Sequence, residues 1–191
     1  MKKILIGTHN RGKFREIAYL ISKRFKKISP VTLKIKSPNE TGKTFESNSK
    51  LKANFFSKFV DFPVISDDSG LCIKSLKNTP GVFSARLAKK KGGFHNAMKY
   101  ILKKLKLKKN RSAFFVCNLT YKSQEGKLIN VQGKIYGKIS SKILGKNGFG
   151  YDSIFIPNSY NKTYGQMNKR EKMKIDHRYL AFKKLRKKIN I

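Results

Sequence analysis

Apolar positions recur along this chain in two periods, and the period changes at breaks rich in glycine, proline and asparagine. Residues 3–8 carry the run Ile4-Leu5-Ile6 and then Gly7, Thr8, His9 and Asn10, the pattern of a buried strand ending in a turn. Phe14, Ile17, Ala18, Ile21 and Phe25 then return at three- and four-residue steps, which predicts a helix with one apolar face. Residues 31–35 alternate and predict a second strand, and residues 37–42 form a loop by composition. A helix is expected over residues 44–59, capped by Thr44, with Leu51, Phe55 and Phe59 on its apolar side. Val64 and Ile65 read as the end of a strand; Asp67, Asp68, Ser69 and Gly70 interrupt the apolar run, and Leu71, Cys72 and Ile73 resume it. Pro80-Gly81 predicts a turn, with Ser84 and Arg86 on a short segment behind it. A helix after Gly93 places Ala97, Ile101, Leu102 and Leu105 on one side, and strands are expected over residues 113–121 and 128–136. A loop with Gly145, Gly148 and Gly150 leads to a short strand at residues 154–156. The last helix begins at Asp176, a good cap, and turns Tyr179, Phe182, Leu185 and Ile189 inward. No long linker and no internal repeat divides these elements, so residues 1–191 read as a single α/β domain.

Composition narrows the picture. Hydrophobic residues make up 39% of the chain and aromatic residues 12%, enough to build a core. Lys and Arg number 45 against 10 acids, a net charge of +35 that would attract any polyanion. The basic residues are spread from Lys2 to Lys188, as in a solvated lysine coat, and no helix-turn-helix, zinc-finger or RNA-recognition signature accompanies them. Cys72 and Cys117 each lie in an apolar run and read as core thiols, and the three histidines lack metal-ligand spacing. No apolar run reaches a membrane span and the N-terminus lacks a signal-peptide pattern, so a soluble cytoplasmic protein is expected.

Candidate chemistry gathers at four places. Asp67 and Asp68 at a strand end are costly to bury unless something positive sits beside them. That position in an α/β protein is where ligands bind, and Mg²⁺ with substrate phosphates would meet the need. Asp, Ser and Gly are also ordinary turn residues, so the segment by itself equally describes a β-turn. Thr8, His9, Asn10, Arg11, Gly12 and Lys13 lie between a strand and a helix start, an anion-friendly place with one lysine, although no Walker loop is present. Phe149, Gly150, Tyr151 and Asp152 combine aromatic faces for a purine with a carboxylate, or else make a glycine hairpin with core aromatics. Lys172, His177 and Arg178 surround the start of the last helix, either as a second anion site or as a solvated basic patch.

Taken in order, these segments resemble one family over nearly the whole chain, the inosine triphosphate pyrophosphatases, also called Ham1-like. Residues 8–13 are similar to its T-G-N-x-x-K motif, and Glu40 to Phe45 with Asn48 to its E-T-G-x-T-F-x-x-N motif. Asp67-Asp68-Ser69-Gly70-Leu71 looks like its D-D-S-G-L core, and the segments 80–86, 148–152 and Lys172 with His177-Arg178 follow. The resemblance implies an ITPase-like (Ham1/Maf-type) α/β fold, with a long mixed twisted sheet flanked by helices and two lobes about a central cleft. It implies a homodimer that uses Mg²⁺ to cleave ITP, dITP and XTP to the monophosphate and pyrophosphate, clearing deaminated purines from the nucleotide pool. It makes Asp68 the catalytic acceptor, with Asp68, Glu40 and Asp67 toward the metal. It gives residues 8–13, Ser69 and Lys172 to the triphosphate, and Phe149, Gly150, Tyr151, Asp152, His177 and Arg178 to the base. His9, Asn39, Ser47 and Asp176 depart from the usual Gly, acid, Glu and Ser of the motifs, which leaves the second metal-binding acid open between Glu40 and Glu46. The alternatives are a related pyrophosphatase with another modified nucleotide as substrate and, further off, a basic nucleic-acid-binding protein; neither a specific nucleic acid nor a membrane partner is expected.

Overall fold

The computed structural model describes residues 1–191. The strands are β1 (Lys2–Ile6), β2 (Phe25–Ile28), β3 (Val64–Ile73), β4 (Thr79–Pro80), β5 (Ser112–Lys122), β6 (Leu128–Ile139) and β7 (Phe155–Pro157). The helices are α1 (Arg11–Leu20), α2 (Phe45–Phe56), α3 (Ser84–Lys90), α4 (Phe94–Lys104), α5 (Lys169–Met173) and α6 (His177–Arg186). One seven-stranded sheet runs β2-β1-β3-β5-β6-β7, with β4 paired to β3. It is mixed: β1 is parallel to β2 and β3, while β3–β4 and β6–β7 are antiparallel.

The chain divides into two compact units. The first comprises Met1–Asp68, Cys117–Gly133 and Arg178–Ile191. The run Ile4-Leu5-Ile6 is buried on both sides, which is why it does not alternate with polar residues. Ile4 and Ile6 pack with Ile17, Phe182 and Leu185 from α1 and α6, whereas Leu5 packs on the other face with Phe56 of α2 and Val64. The second unit comprises Ser69–Val116 and Lys134–His177. Its core joins Leu71 and Ile73 to Ala97, Ile101 and Leu105 of α4 and to the ring cluster of Phe115, Phe155 and Tyr164.

Four expectations from the sequence are corrected here. The first helix stops at Leu20, and Phe25 opens strand β2 instead of closing the helix face. Residues 31–34 form a turn, with Lys34 at φ 55°, so the alternation there marks no strand. The predicted apolar face of α2 is its less buried one: Phe59, in a 3-10 turn after the helix, is 54% exposed, while Asn48, Ser49, Lys52, Ala53 and Phe56 are buried. Asp67 to Gly70 neither end nor interrupt the strand. They lie inside ten continuous residues of β3. What ends is the neighbour, since β1 pairs with β3 through Leu5–Val64 and Ile6–Ile65, and the two acids lie just beyond that edge. The short helix α5 is an element the periodicity did not reveal, because five residues are too few for a helical repeat to register.

Candidate functional site

Strand geometry assigns the two acids different partners. Side chains alternate across a sheet. Ile65 faces α1 and α6, Val64 faces α2, and the alternation carries Asp67 to the first side and Asp68 to the second. Asp67 accordingly meets Lys13 Nζ of α1 at 3.1 Å and Arg178 Nε of α6 at 3.7 Å. Asp68 meets α2, where Asn48 Nδ2 donates to Asp68 Oδ2 at 3.0 Å. Burial by itself would push the Asp67 carboxyl up, but the charges of Lys13, Arg178 and Lys52 hold it down at about 2. At Asp68 burial prevails and the carboxyl is pushed above its ordinary value, with Glu40 adding to the rise against Lys13, Lys52 and the Asn48 hydrogen bond.

The segment between β1 and α1 is built as a helix start. Asn10 caps α1, its Oδ1 accepting from the Lys13 N–H at 3.1 Å, and Thr8 Oγ1 accepts from the Asn10 N–H at 3.2 Å. Arg11 is exposed, Gly12 and Lys13 are half-buried, and the exposed His9 ring lies 2.9 Å from the Ile35 carbonyl oxygen. Lys13 and Glu16 are three residues apart and share a helix face. Glu16 is buried and accepts from Arg178 Nη1 at 2.8 Å, so Arg178 is held between two carboxylates. On α2, Lys52 lies one turn after Asn48, and its ammonium reaches Glu40 Oε1 at 2.5 Å. Burial tends to lower the Lys52 pKa, but Asp67, Asp68 and Glu40 together raise it, so it stays charged. Four carboxylates, Asp67, Asp68, Glu16 and Glu40, and three cations, Lys13, Lys52 and Arg178, thus gather around the helix start.

These are hard oxygen donors, the kind Mg²⁺ takes. No three Asp, Glu, His or Cys side chains converge closely enough to hold a metal among themselves. That suits a cation that uses one or two carboxylates and completes its shell with phosphate and water. Burial and the nearby Glu40 charge both raise the Asp68 carboxyl, so a divalent cation beside them would lower the cost of keeping both ionised. The residues therefore fit Mg²⁺ through Asp68 and Glu40. Glu46, the other candidate, is instead exposed at the surface and paired with Lys50.

In the second unit the glycine loop is organised by Asp152. Gly148 sits at φ 75°, and a Cβ there would lie 2.1 Å from Asp152 Oδ2. That oxygen accepts from the Phe149 N–H at 2.8 Å and from Lys172 Nζ at 2.6 Å. Lys172, on α5, stands 4.9 Å from the centre of the half-buried Phe149 ring. Tyr151 offers no free face: it is buried, meets Phe94 edge-on and donates its hydroxyl to the Ser84 carbonyl oxygen at 2.9 Å. Ser69 and Gly150 are half-buried and buried Ser84 also accepts from the Leu71 N–H at 3.0 Å, while Arg86 is exposed. The His177 ring lies flat against Phe115, with centres 4.8 Å apart and planes 10° from parallel. Lys172, His177 and Arg178 are all buried, so they are no solvated patch.

Sequence reasoning missed Lys52 and Glu16 and left Asn48 without a role. The available signal was polar residues at helical spacing on a face that proves to be buried: 48 and 52 on one helix, 13 and 16 on the other.

An α/β fold with acids just past the end of a parallel strand, facing a helix start with a lysine, defines an anion-handling enzyme of the phosphoryl-transfer kind. A family model described as the Ham1 family matches residues 4–188, and this chain belongs to that family. It is 36% identical over 189 residues to the dITP/XTP pyrophosphatase of Dictyoglomus thermophilum, covering 96% of this chain and 92% of that one. It is 38% identical over 191 residues to the dITP/XTP pyrophosphatase of an Exiguobacterium, covering 98% and 96%. Among solved structures, the Ham1 protein of Staphylococcus aureus superposes with a TM-score of 0.86 at 33% identity, covering 97% of each chain. No helix is long and apolar enough to cross a membrane.

Proposed function

We propose that this protein hydrolyses deaminated purine nucleoside triphosphates, ITP, dITP and XTP, to the monophosphate and pyrophosphate, and so removes miscoding purines from the nucleotide pool. The carrying observation is Asp68: buried, raised in pKa, beside an ionised Asp67 and near the charges of Lys13 and Lys52. Relatives named dITP/XTP pyrophosphatase across nearly the whole chain support the same substrate class. Asp68 accepts a proton from a water that attacks the α-phosphorus, and a raised carboxyl pKa suits an acceptor working near neutral pH. Lys13, the N–H groups at the start of α1 and Lys52 hold phosphate oxygens by charge and hydrogen bonding. Asp67 stays ionised and keeps Lys13 and Arg178 in place. Mg²⁺ bound through Asp68 and Glu40 would neutralise phosphate charge and ease departure of pyrophosphate. Phe149 supplies an aromatic face, and donors at His177 and Arg178 favour a 6-oxo purine, whose O6 accepts where adenine N6 donates. Homodimer formation belongs to the same reading and rests on the family resemblance.

Pyrophosphate release from ITP, dITP, XTP, GTP and ATP, with Mg²⁺ and with EDTA, tests the proposal. Metal-dependent release strongest with the deaminated purines supports it; release favouring a different nucleotide, or none from any of the five, overturns it. Sedimentation of the pure protein checks the dimer.

A further inference from the structure

Asn48 is completely buried, yet the mechanism above uses it for nothing. Its two amide ends are both occupied. Oδ1 accepts from the Gly42 N–H at 2.8 Å, and Nδ2 donates to Asp68 Oδ2 at 3.0 Å. These bonds fix one another, because a flipped amide would set its oxygen against the carboxylate and its NH₂ against an N–H. The anchor on each side is firm. The Asn48 N–H bonds to the Thr44 carbonyl oxygen at 3.1 Å in the first turn of α2, and a reciprocal Thr44–Ser47 cap closes that turn. Gly42 is needed for the approach, since a Cβ there would lie 2.5 Å from Asn48 Oδ1 and 2.3 Å from Ser47 Oγ. Two residues before Gly42 stands Glu40, tied to Lys52 one turn beyond Asn48.

We infer that Asn48 is the positioning residue of the active-site acid: a single amide sets the orientation of the Asp68 carboxylate and clamps to it the loop that carries Glu40. The inference rests on the proposed role of Asp68. A carboxylate turns about a broad, roughly two-fold torsion, so an acid without a fixed donor would spend much of its time misaimed. The clamp explains why a buried helix position carries an amide where packing alone would favour an apolar side chain.

The test uses the whole chain with saturating Mg²⁺ and with ITP varied around its KM. Asn48→Ala is expected to lower kcat by about 10- to 100-fold, the scale of a hydrogen bond to a charged group. KM should change by less than about 3-fold, because Asn48 is assigned no phosphate contact. Gly42→Ala, which crowds the amide without removing it, should lower kcat in the same direction. Asn54→Ala, on the same helix but bonded to Lys122, should leave kcat unchanged. Thermal unfolding of each variant separates lost structure from lost turnover. A second readout needs no activity. In ¹⁵N spectra the Asn48 side-chain amide, identified by its loss in Asn48→Ala or, if that variant does not fold, in Asn48→Asp, should move in Asp68→Ala and stay put in Asp61→Ala. Wild-type kcat in folded Asn48→Ala or Gly42→Ala, or an amide resonance indifferent to Asp68→Ala, overturns the inference. A wild-type protein that releases no pyrophosphate from any nucleotide overturns the proposed function instead, and the amide spectrum still decides the clamp.

Discussion

Asp67 and Asp68 are chemically identical neighbours, and the sheet makes them opposites. Asp67, held at about 2, binds its proton less readily folded than unfolded, where the ordinary value is 3.8. Its contribution to stability is therefore fully present above about pH 4 and is lost as pH falls toward 2; the shift corresponds to about 2 kcal/mol. Acid unfolding followed by circular dichroism should show this loss, and Asp67→Asn should flatten the curve between about pH 4 and 2. Asp68 behaves in reverse. Its folded pKa is raised, so its favourable contribution is present below the unfolded value and is lost as pH rises through the folded one. Asp68→Asn should therefore melt at a higher temperature than the wild type near neutral pH while losing at least about 10²-fold in kcat. A variant both folded and near-normal in turnover would remove Asp68 from the mechanism. Lys13→Ala should raise KM for the triphosphate more than it lowers kcat, a split that steady-state kinetics reads directly.

At the scale of elements, helix α2 carries two separable duties. Its cap is structural: Thr44→Ala removes the acceptor for the Ser47 N–H and should cost about 1 kcal/mol in denaturant unfolding. Its buried face carries Asn48 and Lys52 of the proposed site, and it is polar there where amphipathic periodicity expects Leu and Phe. The same competition explains why Leu51, Phe55 and Phe59 misled the sequence reading. Helix α5 exists to deliver Lys172. The Lys172–Asp152 pair has both side chains 4% exposed, so removing one partner strands a buried charge. Lys172→Met should destabilise the protein by about 3–5 kcal/mol, read from the denaturation midpoint. A neutral outcome would mean that Asp152 is satisfied by the Phe149 N–H alone.

The whole molecule carries +35, far more than the site needs. Such a field would draw in a triphosphate at a distance and would be screened by salt, since the Debye length falls from about 10 Å at 0.1 M to about 3 Å at 1 M. Raising the salt concentration should therefore raise KM while leaving kcat much less affected. Equal effects on both would show that the lysine coat contributes nothing to capture.

The sequence by itself determined the α/β class, most element positions and the family, because strand and helix periods and dispersed motifs are local patterns that one chain displays openly. It also determined that Cys72 and Cys117 are buried thiols outside any disulfide, since apolar flanks are local too. Only the tertiary structure decided what each motif residue does. Which acid meets a lysine and which meets an amide follows from strand alternation counted against helices distant in the chain. Arg178 takes its partner Glu16 from 162 residues away. Tyr151 looked like a base platform and became core because Phe94 and Ser84 fold onto it. Periodicity reports how a residue faces its own element; burial beside a charge depends on which other element arrives, and that is a property of the folded chain.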